Sequence, residues 1–227
     1  VRIRRFASLL SYLRAIGKAD EYVKRLKEKA DDNLITKQYV LKAEALIDYY
    51  CKRCSGEETI KRLEESIRLT LPEYEKCLEK RFPFTEQEIM NLLSIANAYA
   101  HINREEQAIE IYQKLMQCLD MDYIFGENVE HIKGIIMRNL SSAYFAMEKY
   151  KEALELNEMC LKRAKQGNEG RNFHVLLGDR AAILLEMIKI GKKDKNEISQ
   201  VKKYLRQSYI LAAARGDEIC SQLIQRV

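Results

Sequence analysis

Along most of the chain, apolar residues recur at spacings of three and four, the period of a helix with one buried face. "EIMNLLSIANAYAHI" and "VKKYLRQSY" are two such stretches, and no segment shows the alternation expected of a strand. The pattern is interrupted at Gly17, Asp31 to Asn33, Ser55 and Gly56, Pro72, Pro83, Asn103, Gly126, Glu148, Gly167 to Gly170, Gly191 to Asn196, and Gly216. These breaks divide the chain into about nine or ten helices. Thr85 followed by Glu88 has the spacing of a capping box, which predicts a helix start just after Pro83.

The helices repeat. When "LLSIANAYAHINREEQAIEIYQKL" is aligned with "MRNLSSAYFAMEKYKEALELNEMC" so that Tyr99 meets Tyr144, Ala108 and Ala153 both fall nine residues after the tyrosine. In the same register Ile95 and Ala96 meet Leu140 and Ser141. Upstream, "LKAEALIDYYCKRCSGEETIKRLEESI" offers Tyr50 for the tyrosine position and Thr59 near the alanine position. Downstream the pattern weakens to "AAILLEMIKIG", then the insertion "KKDKNEIS", then "VKKYLRQSY". Small residues at matched positions let two helix backbones approach closely, and a tyrosine fills the wedge between neighbouring hairpins.

This pattern resembles the tetratricopeptide repeat, which has Leu-Gly/Ala-x-x-Tyr in its first helix and Ala-x-x-x-Tyr/Phe in its second. The resemblance implies an all-α fold, a right-handed superhelix of antiparallel helix hairpins. The expected hairpins are roughly 3–30, 33–70, 86–118, 130–165 and 172–212, with a short helix at 217–225, all within a single domain of 1–227. The tyrosine spacings of 49 and then 45 exceed the usual repeat of about 34 residues, so the helices or their connections are longer than standard. Elongated hairpins of this kind, including "LEESIRLTLPEYEK", "TEQEIMNLLSIANAY" and "NLSSAYFAMEKYKEALEL", resemble the C-terminal sensor region of Gram-positive helix-turn-helix regulators, the peptide-pheromone-sensing group related to Rgg, PlcR and PrgX. In that group a DNA-binding domain precedes the repeats. No helix-turn-helix segment is visible in this chain, which begins at Val1 within the basic stretch "VRIRR", a stretch that could follow one.

In stacked hairpins the first helix of each repeat lines the concave side. By the repeat register the groove candidates are Leu41, Glu44, Asp48 and Lys52; Met90, Leu93, Asn97 and His101; and Ile135, Arg138, Asn139, Ser142 and Phe145. An asparagine amide both donates and accepts, as an extended peptide backbone requires, which singles out Asn97 and Asn139. The resemblance implies the same use, since the pheromone-sensing group is known for asparagines that hold peptide. Arg138 can meet a carboxylate through paired hydrogen bonds, and Glu44 and Asp48, one turn apart, can meet an amine. Chaperone-binding tetratricopeptide domains surround such asparagines with basic residues. Leu93, Gly178 and Ala182 stand at those basic positions here, which speaks against a chaperone clamp.

Charge and composition narrow the picture further. Lys and Arg number 39 and Asp and Glu 34, a net +5 spread in alternation with Glu, which describes solvated helix faces better than a nucleic-acid surface. No apolar run reaches the roughly eighteen residues of a membrane span, and "VRIRRFASLL" is not followed by the long apolar core and small-residue cleavage site of a secretory signal. Six cysteines stand far apart, and Cys51 and Cys54 form the only CxxC; both facts fit a reducing cytosol, with that pair ending a helix. His101, His131 and His174 occur in separate predicted elements with no metal-ligand spacing, and "GNEGRN" lacks the spacing and preceding strand of a phosphate loop. No enzyme, cofactor or metal is therefore expected.

The function read from the sequence is the ligand-sensing and dimerising region of a cytosolic transcriptional regulator. It would bind a short signalling peptide on its concave face and reach DNA only through the upstream domain. The apolar stretch "YILAAARGDEICSQLI" is expected to cap the array or pack against a second copy. A constitutive protein-interaction scaffold, or a Rap-like sensor that binds a response regulator, are the alternatives.

Overall fold

Several helices of this protein begin on side-chain caps and end on left-handed residues. The computed structural model describes residues 33–80, 82–120, 129–166 and 173–217, together with 21, 23–25, 27 and 28. Among these residues there is no strand. The helices are α1 (Leu34–Tyr50), α2 (Gly56–Arg68), α3 (Tyr74–Glu79), α4 (Glu86–His101), α5 (Glu105–Leu119), α6 (Val129–Ala146), α7 (Tyr150–Gln166), α8 (Phe173–Lys189) and α9 (Ile198–Ala214), with a 3-10 turn at Lys195–Glu197. Most of the expected hairpin 3–30, the segments around Gly126 and Gly167, and the expected helix 217–225 lie outside the described residues.

N-terminal caps are legible in the contacts. The Asn33 side chain accepts from the Ile35 amide at 2.9 Å, and Ser55 accepts from the Glu58 amide at 3.1 Å. The expected capping box is formed: Thr85 Oγ1 accepts from the Glu88 amide at 3.3 Å while Glu88 Oε2 accepts from the Thr85 amide at 2.8 Å. At the other end, a single device recurs. Lys52, Asn103, Glu148, Gly191 and Gly216 all take positive φ, between 58 and 73°. In each case the next amide reaches back five residues, as in Arg104 to Tyr99 at 3.0 Å and Lys149 to Tyr144 at 2.9 Å, which is the Schellman closure. Asn103 and Glu148 occupy the same place in the two aligned repeats.

The chain divides into two compact units, with the division between Ile136 and Met137 inside α6. In the N-terminal unit α1 packs on α2, α2 on α4, and α4 on α5, while the short α3 packs on α5. The small residues do the work expected of them: Ala96 and Ala108 are fully buried, and so is Thr59, which stands in the equivalent place upstream. Tyr99 is the wedge, its hydroxyl reaching across to Glu64 of α2 at 3.4 Å. Ring packing continues at the ends of α1 and α4, where Tyr49 and Tyr50 stand edge to face and His101 lies 5.8 Å from the first and 6.4 Å from the second.

A chain of buried polar side chains crosses the same unit. Gln38 Nε2 donates to Thr70 Oγ1 at 2.6 Å, and Thr70 donates to Glu88 Oε1 at 2.9 Å, so the residue that caps α4 also anchors α1. Ser66 Oγ donates to the Gln38 carbonyl at 2.7 Å and accepts from Asn91 Nδ2 at 2.9 Å. Lys42, one turn beyond Gln38, is buried, and its ammonium lies 5.3 Å from the Tyr39 ring centre. Loss of hydration lowers the pKa of Lys42, and among the described residues no carboxylate pairs with it.

In the C-terminal unit α7 packs on α8 and α8 on α9. Ala153 is fully buried, and its carbonyl accepts from Ser141 Oγ of α6 at 2.8 Å, which fixes the approach of α6 and α7. Ala153, Tyr150, Ile183 and Met187 form a core on which Tyr144 and Phe145 pack. A second cluster joins Ala181, Leu184 and Ile188 of α8 to Val201 of α9. Buried polar side chains again tie helices to backbone: Asn157 Nδ2 donates to the Leu176 carbonyl at 3.0 Å and Ser208 Oγ to that of His174 at 2.6 Å.

Three substitutions test this account. A Cβ built on Gly56 would lie 2.1 Å from Ile102 Cγ2. Gly56→Ala gains at most about 1 kcal/mol of helix propensity and incurs about 1 to 3 kcal/mol of overpacking, so urea unfolding should show a net loss that Ile102→Ala largely restores. At Glu148, replacement by Gly relieves a left-handed side chain and should raise stability by about 1 kcal/mol, seen as a higher Tm. Lys42 binds its proton less tightly folded than unfolded, so its contribution is destabilising below its folded pKa and fades as pH rises toward the unfolded value. Lys42→Met should therefore be more stable than the parent at pH 7, with the gap narrowing by pH 10.

Candidate ligand-binding face

The first helix of each repeat carries the candidate residues, and the local geometry decides what each can offer. On α4, Leu93 is 3% exposed and belongs to the core, so it offers no surface to a ligand. Asn97, one turn on, is half-buried, and its Oδ1 accepts from the Tyr112 hydroxyl of α5 at 2.6 Å. Tyr112 is buried among apolar residues, and a buried phenol needs such a partner. His101 ends the helix half-buried, against Tyr49 and Tyr50.

On α1, Glu44 pairs with Lys27, while Asp48 accepts from Arg62 Nη1 at 2.7 Å and from Arg53 Nη1 at 3.3 Å. The hydrogen bond that Arg62 donates to Asp48 is the main cause that holds the Arg62 pKa above its ordinary value. Both carboxylates are thus engaged within the chain, and an incoming amine would have to compete with arginine for Asp48.

On α6, Arg138, Asn139, Ser142 and Phe145 belong to the C-terminal unit. The first three are half-buried, and Ser142 Oγ donates back to the Arg138 carbonyl at 3.1 Å. Phe145 packs edge-on against Tyr150 at 5.5 Å, as part of the hairpin core. Asn97, His101, Glu44, Asp48 and Leu93 all belong to the N-terminal unit, so each unit carries its own set.

Two contributors escape a reading by helical period. Tyr112 acts on Asn97 from the second helix of its hairpin, and only the need of a buried hydroxyl for a partner could have signalled it. The Gln38, Thr70 and Glu88 chain joins residues 32 and 18 positions apart, a link no local spacing encodes. Burial pushes the Cys160 thiol up to about 11, away from the thiolate a nucleophile needs. Among the described residues no group of His, Cys, Asp and Glu could hold a metal ion, and no helix is long and apolar enough to cross a membrane.

Comparison with solved structures agrees with the architecture. The chain is similar to PlcR of Bacillus thuringiensis in complex with the peptide PapR7 and DNA, at 14% identity and a TM-score of 0.70 over 98% of this chain and 74% of that one. Against PlcR in its apo form the TM-score is 0.74 at 13% identity, covering 99% of this chain and 76% of that one. BtubC from P. vanneervenii is similar at 13% identity and a TM-score of 0.60, over 94% and 80% of the two chains. At these identities the likeness establishes the fold, an all-helical arrangement of the tetratricopeptide type. No curated protein matches the sequence. The model of the RNPP family C-terminal domain matches residues 10–179, most of the chain, and the protein belongs to that family.

Proposed function

We propose that this chain is the peptide-sensing region of a transcriptional regulator, with the ligand held along the first helices of its repeats. The observation that carries the reading is the family match over residues 10–179, together with the fold shared with PlcR, a protein seen in complex with a peptide and with DNA. The candidate contacts are Asn97 and His101 in one unit and Arg138, Asn139 and Ser142 in the other, all half-buried polar side chains on first helices. Asparagine amides suit a peptide main chain, and Arg138 suits a carboxylate. Glu44 and Asp48 would take part only by exchanging their internal partners for a ligand cation. Leu93 and Phe145 would act from beneath, by shaping the helices that carry the polar groups.

In this reading DNA is reached through a domain ahead of Val1, the protein works in the cytosol, and two copies associate. Peptide binding can change DNA binding only if the peptide prefers one of two conformations of the sensor.

Isothermal titration with short peptides encoded near the gene tests the proposal directly. One of them should bind saturably. Asn97→Ala should weaken binding carried by the N-terminal unit and Asn139→Ala binding carried by the C-terminal unit, each by about 2- to 12-fold, the equivalent of about 0.5 to 1.5 kcal/mol for a lost hydrogen bond. Failure of every such peptide to bind, or binding indifferent to both substitutions, would count against this site.

A further inference from the structure

The C-terminal unit carries a second surface that peptide binding on the first helices leaves unused. Both α7 and α9 pack on α8, and an open trough of about 710 Å³ is lined by all three. Leu161 and Leu177 are buried in it, while Ile210, on its α9 side, is 52% exposed. A more polar hollow of about 400 Å³ continues from it, and Arg180 and Tyr204 line both. Arg180 is held there by Glu158 and by stacking 5.3 Å from the Tyr204 ring centre.

Among the described residues, charge in the trough is one-sided: Glu158 is the only lining acid, and that carboxylate is already engaged by Arg180. Lys162 and Lys165 also line it, are exposed, and make no ion pair among the described residues. Lys203 stands seven residues before Ile210, two helical turns along the same stripe of α9, and that helix contains no acidic residue. An apolar base edged by uncompensated lysines has a specific complement: a helix with apolar side chains on one face and carboxylates beside them. A phosphate backbone would satisfy the lysines and leave the apolar base uncovered.

The trough is also separate from the candidate ligand face. Phe173, Leu177 and Arg180 share one stripe of α8, whereas the exposed Ala182, which the repeat register assigns to the groove side, lies nine residues from Phe173 and about 180° around the helix. We infer that this trough is a docking surface for an acidic amphipathic helix of a partner protein. From Gln200 to Leu211, α9 offers about 17 Å of wall, room for roughly three turns of such a helix.

The test uses the full 227-residue chain and three synthetic helical peptides, with binding read by fluorescence anisotropy at physiological salt. The first peptide carries leucines at helical spacing flanked by glutamates, the second has lysines in place of the glutamates, and the third has serines in place of the leucines. The first should bind saturably and the other two at least tenfold more weakly. The double variant Lys162→Glu and Lys165→Glu, and separately Ile210→Ser, should each weaken the first peptide at least tenfold with unchanged circular dichroism, since all three positions are exposed. No saturable binding, equal binding of the lysine peptide, or indifference to both variants overturns the inference. It is also overturned if sedimentation shows a dimer that Ile210→Ser dissociates, since a second copy then fills the trough, or if a single-stranded oligonucleotide binds in preference and is lost in the lysine variant.

Discussion

Two helices can share a hairpin only if their backbones come close, and close approach requires that something small stand at the crossing. Here that constraint is met by Ala96 and Ala108 in one repeat and by Ser141 and Ala153 in the next, all buried. Ser141 adds direction to proximity, because its hydroxyl donates to the Ala153 carbonyl and so selects one register of the two helices. Once the crossings are fixed, the tyrosines have wedges to fill, and the outward faces of the first helices are placed by geometry alone. A large side chain at any of these four positions would separate the helices and disturb every contact that follows.

Burying polar groups at these crossings is unfavourable unless each finds a partner, and the structure shows where partners are complete and where they are not. Glu88 is fully used, since it closes the cap of α4 and receives Thr70, which in turn receives Gln38. Gln38 Oε1 and Asn91 Oδ1 are buried without a hydrogen bond among the described residues. Apolar side chains would avoid that cost, yet the chain retains amides at both places. What they supply is uniqueness: a leucine at Gln38 could pack in several registers, whereas an amide bonded to Thr70 fits one.

Local signals in the sequence were strong because they depend on neighbours. The capping box at Thr85, the caps at Asn33 and Ser55, and the breaks at Asn103 and Glu148 each involve residues within one or two turns, and all can be read from spacing. The small residues of the central repeats were legible for the same reason, since the chain states them twice. The candidate site was harder to read. Helical period places Glu44, Asp48, Leu93 and Phe145 on first helices but does not reveal that Asp48 meets Arg62, that Lys27 meets Glu44, or that Phe145 meets Tyr150. Those partners come from other helices, and their choice depends on the angle at which hairpins pack, a property spread over the whole sequence. Lys42 is a related case, because lysine at an apolar period reads as a solvated side chain until burial is seen.

The internal pairing of charges bears on what a ligand can be. A peptide cation directed at Asp48 gains one salt bridge only by displacing Arg62 or Arg53, so the exchange is close to neutral and contributes little selectivity. Asparagine amides bind any main chain and are equally unselective. Discrimination among peptides must then arise from how their side chains fit along the first helices, not from these carboxylates or amides.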